Sequence, residues 1–118
     1  MREITTHIIN PVNDKLKITV RDEPGAGGAN HDYEIALPDG SGVRICFQNG
    51  PINEVGVNGL THEALLAIIA DRLVSFQLGP FCCDENQRAL DGVNAAMDAL
   101  ASRTRARMAR GVEGRNVA

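Results

Sequence analysis

Hydrophobic and polar residues alternate in short runs over the first sixty positions, then recur every three or four positions from residue 61 onward. The alternating runs predict β-strands at Glu3–Ile9, Lys15–Arg21, Asp32–Leu37, Val43–Gln48 and Ile52–Val57, because successive side chains of a strand face opposite sides. Between them lie Asn10-Pro11, the glycine-rich stretch 24–30, Pro38-Asp39-Gly40 and Asn49-Gly50-Pro51. These residue types fix φ or tolerate φ > 0, and so supply turns. Five strands with short loops predict an antiparallel sheet.

The period changes at Thr61. Thr61 is placed to cap a helix with Glu63 in its first turn, and Leu66, Ile69, Leu73 and Phe76 then recur as one helical face requires. Gly79-Pro80 stops this helix at about 17 residues. A second helix starts near Cys82, with Asp84 and Glu85 favourable to its dipole, carries the seam Leu90, Val93, Met97 and Leu100, and runs towards Arg110 before Gly111. At roughly 28 residues it spans about 40 Å and overshoots its partner. The fold expected is α+β: one domain of 118 residues, with an N-terminal antiparallel β-sheet over 1–60 and a long antiparallel αα-hairpin with its C-terminal tail over 61–118. The uncovered seam of the second helix predicts oligomerisation through the helices.

Composition narrows the classes. A hydrophobic content of 43% and a charged content of 23% are ordinary for a folded chain, while aromatics are scarce, with three Phe, one Tyr and no Trp. The net charge of −3 opposes general affinity for DNA or membranes. It is unevenly divided: residues 1–98 carry seven basic and fourteen acidic side chains, residues 99–118 five arginines and one glutamate. The C-terminal end therefore attracts anions. Cys46, Cys82 and Cys83 give an odd count, and adjacent Cys82 and Cys83 suit no ordinary disulfide, so a reducing cytoplasm is expected. No apolar run suggests a signal peptide or membrane span.

Candidate chemistry is sparse. Arg103, Arg107 and Arg110 share one helical face, where guanidinium forks suit phosphate oxygens, although cations at a helix end also answer its dipole. The glycine-rich stretch lacks the ending of a phosphate-binding loop and reads better as a turn. Phe76 extends the apolar seam, and Phe81 beside Pro80 fits a lid, a core anchor or a subunit contact. His7, His31 and His62 are isolated, zinc-type cysteine spacing is lacking, and no serine is framed as a nucleophile. No metal, no cofactor and no catalysis are expected.

Both halves of the chain carry a resemblance. The run 76–86, Phe-Gln-Leu-Gly-Pro-Phe-Cys-Cys-Asp-Glu-Asn, with Arg103-Thr104 and the run 107–114, Arg-Met-Ala-Arg-Gly-Val-Glu-Gly, resembles the helical-hairpin domain shared by phage anti-CBASS and anti-Thoeris signal sponges. Upstream, residues 22–31, 47–52 and 54–59 resemble the β-portion of the first-described anti-Thoeris family. The resemblance implies a phage protein acting in the host bacterial cytoplasm that sequesters glycocyclic ADP-ribose, the immune signal of Thoeris, without degrading it. It also implies a homo-oligomer, commonly a hexamer, and in some members separate sites for cyclic di- or trinucleotides of CBASS. Carried onto this chain, Phe76 stacks on the base, Asn86 hydrogen-bonds the ligand, and Arg103 and Arg107 hold its diphosphate. Two positions depart from the pattern: Asp84 is acidic where a basic residue is expected, and Arg115 stands where a small polar one is usual. The competing classes are a small DNA-binding regulator, opposed by the net charge and the long second helix, and an ADP-ribose-type hydrolase, which lacks a positioned base.

Overall fold

A computed structural model describes residues 1–12 and 14–113. Four strands, β1 (Arg2–Ile4), β2 (Lys17–Val20), β3 (Asp32–Ala36) and β4 (Gly42–Cys46), form one antiparallel sheet in the order of the chain. Arg2 lies opposite Val20, Lys17 opposite Ala36, and Asp32 opposite Cys46. Three helices come after the sheet: α1 (Ile52–Val55), α2 (His62–Gln77) and α3 (Asp84–Ala109). An N-terminal antiparallel sheet and then a helical hairpin is thus the architecture, and the chain packs as two compact units. One comprises residues 1–50 and 55–60, the other residues 51–54 and the chain from Thr61 onward.

The expected fifth strand, Ile52–Val57, is instead a single helical turn. Its flanks explain the difference. Gly50 and Gly56 hold φ of 93° and 74°, outside strand geometry. The Asn58 side chain accepts from Asn49 N–H at 2.9 Å and donates to its carbonyl at 2.7 Å, while Gln48 donates to the Gly56 carbonyl and accepts from Asn58 N–H. The segment therefore closes through its own amide side chains, which a local sequence pattern does not reveal. The first strand is also shorter than expected, because Ile8 N–H turns back to the Thr5 carbonyl.

Within the sheet unit Val20 is fully buried, and the Tyr33 ring meets Phe47 edge-on at 5.7 Å. Phe47 forms a parallel bridge with Leu60. Gly59 is required at this crossing, since a Cβ there would lie 2.4 Å from the Phe47 carbonyl carbon.

The helices obey the periodicity. Thr61 caps α2 by accepting from Ala64 N–H at 3.1 Å. At the other end of the hairpin, α3 stops where Gly111 takes φ of 72°. Gly111 N–H donates to the Met108 carbonyl and Val112 N–H to the Arg107 carbonyl, the paired bonds of a Schellman turn. α2 and α3 pack on each other with Leu66, Leu73, Val93, Met97 and Leu100 half-buried, but only Leu90 of the seam is buried. Ile69 and Phe76, expected within the seam, are 45% and 40% exposed, and Ile68 is 60% exposed. The hairpin thus leaves an apolar band on α2 uncovered by α3. Among the described residues no helix is long and apolar enough to cross a membrane.

Candidate ligand site at the end of the helical hairpin

The turn between α2 and α3 is built by its own side chains. Leu78 N–H donates to the Val74 carbonyl and Gly79 N–H to that of Phe76, after which Pro80 prevents the helix from continuing. Gln77 then spans the turn: its Nε2 donates to the Cys83 carbonyl at 3.0 Å and its Oε1 accepts from Cys83 N–H at 3.1 Å. Cys83 caps α3, its Sγ accepting from Asn86 N–H at 3.4 Å. One amide and one thiol so fix the backbone on either side of Phe81, and with it the start of the helix that carries Asn86.

Two adjoining open hollows occupy this end. One, of about 460 Å³, is lined by Asp71, Arg72, Ser75, Phe76, Gly79, Pro80 and Phe81. The other, of about 420 Å³, is lined by Ile69, Arg72, Leu73, Phe76, Phe81 and Asn86. Both fall in the size range of small-molecule sites, about 300–1,000 Å³. Phe76 and Asn86 meet in the second hollow, as a shared ligand requires. The Arg72 guanidinium lies 5.5 Å from the Phe76 ring centroid, a cation–π contact of about 0.5–1 kcal/mol at an exposed site. Asp84, the departing acidic residue, is 88% exposed and 3.8 Å from Arg88.

Arg103 and Arg107 lie elsewhere on the chain. Seventeen positions separate Asn86 from Arg103 along α3, about 25 Å at about 1.5 Å per residue. No single chain can bring all four residues to one small ligand. The two arginines also differ from each other: Arg103 is exposed, whereas Arg107 is buried at 6% exposure. Arg107 is therefore engaged within its own chain, unlike the Arg103 with which helical spacing grouped it. Its Nε donates to Glu113 at 3.0 Å and a terminal nitrogen donates to the Val112 carbonyl at 2.9 Å, because the Schellman turn folds residues 112 and 113 back onto α3. Arg115 lies outside the described residues.

The glycine-rich stretch behaves as a turn. Gly25 N–H donates to the Ala29 carbonyl at 2.9 Å and Gly28 N–H to that of Gly25, with Gly27 and Gly28 at φ of 87° and 90°. Asp22 braces its end by accepting from His31 N–H at 3.0 Å and Asp32 N–H at 3.2 Å. Burial pushes the Asp22 carboxyl up, but these hydrogen bonds outweigh it and hold the group below the usual carboxylate range. Among the described residues no three His, Cys, Asp or Glu side chains converge as metal ligands would.

Sequence reasoning missed Arg72, Gln77 and Glu113. The i, i+4 spacing of Arg72 and Phe76 was a usable signal. Gln77 and Glu113 had none, since each acts across a turn.

Residues 39–105 match the profile of the family described as Acb2/Tad1, hairpin domain. The chain is also 38% identical over 90 residues to Thoeris anti-defense 1 of Bacillus phage SBSphiJ7, an alignment covering 76% of this chain. It spans 63% of that relative's length, under two thirds.

Proposed function

This chain belongs to the Acb2/Tad1 hairpin-domain family, and from that membership we infer that it is a phage anti-defence protein that sequesters cyclic nucleotide immune signals in the host cytoplasm without degrading them. Its ligand is glycocyclic ADP-ribose, with cyclic di- or trinucleotides of CBASS taken at separate sites. The observation that carries this reading is the hollow in which Phe76 and Asn86 meet beside the fixed hairpin turn. Its apolar lining suits a base, and Asn86 supplies both a donor and an acceptor.

The distance between Asn86 and the arginine end of α3 makes this a site shared by copies. Phe76 and Asn86 of one chain meet Arg103 and Arg107 of another, within a homo-oligomer assembled through the helices, as a hexamer. The exposed apolar side chains Ile68, Ile69 and Phe76 on α2 support that assembly, because an uncovered helical face stabilises association. Stacking of about 1–3 kcal/mol and charge-assisted hydrogen bonds of about 1.5–3 kcal/mol each supply tight binding when several act together.

Native mass spectrometry of the protein with glycocyclic ADP-ribose, then heat release of the bound material, tests the reading. A sponge gives a ligand-bound oligomer and returns the ligand intact. Recovery of a cleaved product identifies a hydrolase, and absence of binding together with retention of duplex DNA identifies a DNA binder.

A further inference from the structure

Arg72 stands one helical turn before Phe76 on the same face of α2 and lines both hollows. It is the one cation among their lining residues. Among the described residues it has no ion pair: its neighbours one turn away, Ile68, Ile69, Ser75 and Phe76, are uncharged, and Asp71, which lines the first hollow beside it, forms no ion pair with it. A guanidinium that forms no ion pair, beside an aromatic-lined hollow, is suited to an anion that also carries a base.

We propose that Arg72 is a phosphate-binding residue of the same site, contributed by the chain that contributes Phe76 and Asn86. The inference rests on the reading of this hollow as a cyclic nucleotide site and adds to it a cation at the hairpin end itself. In the free protein the guanidinium rests on the Phe76 ring. On binding it leaves that face to the base and pairs with a phosphate oxygen, exchanging a weak exposed cation–π contact for a stronger charge-assisted hydrogen bond. The Arg72 side chain is exposed and reaches no carboxylate, so no competing pair has to break.

Calorimetric titration of glycocyclic ADP-ribose into wild type, Arg72→Gln, Arg72→Ala and Arg72→Lys, at low and raised salt, tests the assignment. Arg72→Gln is expected to weaken binding by about tenfold or more, with an unchanged melting temperature and a shallower dependence of affinity on salt, because one charge contact is gone. Arg72→Ala repeats the loss, and Arg72→Lys recovers part of it. Wild-type affinity in Arg72→Gln and Arg72→Ala overturns the assignment while leaving the parent reading intact. So does a loss of affinity with the wild-type salt dependence, which reduces Arg72 to packing. If the wild-type protein does not bind the ligand at all, the parent reading falls and takes this inference with it.

Discussion

Replacing Arg107 with alanine is expected to lower the stability of the helical hairpin by about 1–3 kcal/mol. The side chain is 8% exposed, with hydrogen bonds to the Glu113 carboxylate at 3.0 Å and the Val112 carbonyl at 2.9 Å. Truncating one partner of a fully buried ion pair costs about 3–5 kcal/mol because the other charge is stranded. Glu113 is 41% exposed and regains water once the guanidinium is gone, so the loss falls below that range. Arg103→Ala is the internal control: this arginine is exposed, and its removal costs under about 0.5 kcal/mol. Urea unfolding of the three proteins should be compared at one protein concentration, because the proposed assembly would make apparent stability concentration-dependent. Coincident midpoints for Arg107→Ala and Arg103→Ala would refute the reasoning. The same geometry carries a second consequence, since an Arg107 that holds a diphosphate must first give up Glu113. Glu113→Gln should therefore lower stability yet tighten the binding of glycocyclic ADP-ribose, and weaker binding in this variant would show that Glu113 supports the site instead of competing with it.

Phe76 is 40% exposed, so Phe76→Ala should cost more in ligand affinity, about 1–3 kcal/mol, than in folding; a variant that melts far lower yet binds normally would confine Phe76 to packing. Gly59→Ala places a Cβ 2.4 Å from the Phe47 backbone and should destabilise the sheet unit by about 1–3 kcal/mol, so an unchanged circular-dichroism melt would contradict the crossing described. The Asp22 carboxyl is held below its ordinary value near 3.9, so it contributes stability that is full above that pH and is lost as pH falls through the lower folded value. Asp22→Asn should accordingly lower stability at neutral pH and flatten the acid limb of a stability–pH curve; an identical acid limb in both proteins would exclude the carboxylate.

Much of the architecture was legible because its signals are local. Thr61, Gly79-Pro80 and Gly111 mark helix ends through capping and backbone constraint, and they sit where the helices end in the structure. The expected strand at Ile52–Val57 failed because its fate was decided by the Gln48 and Asn58 side chains, which bond to backbone groups nine and ten positions away. Periodicity placed Ile69 and Phe76 in the seam, but it cannot say how wide a stripe one partner helix covers, and α3 leaves both exposed. For the candidate site, Phe76 and Asn86 do line one hollow, while helical spacing and the resemblance both grouped Arg103 with Arg107. The chain reversal at Gly111 that buries only Arg107 depends on residues 111–113, beyond the end of α3, and not on the period of the helix.

α3 is 26 residues long against 16 for α2, so the arginine-bearing end of α3 extends beyond any cover that α2 can supply. In the proposed assembly that excess is what makes the site. Two copies related by a two-fold axis lay the arginine end of one α3 against the hairpin end of the other, and the symmetry generates two equivalent sites from one pairing. Each site then takes its aromatic and amide contacts from one chain and its distal guanidinium groups from the other. A ligand bound there touches both copies, so binding and assembly are thermodynamically linked: ligand strengthens the oligomer, and dilution below the assembly threshold weakens binding. Such a device needs no catalytic group to deplete a signal, only an affinity that neither copy possesses alone.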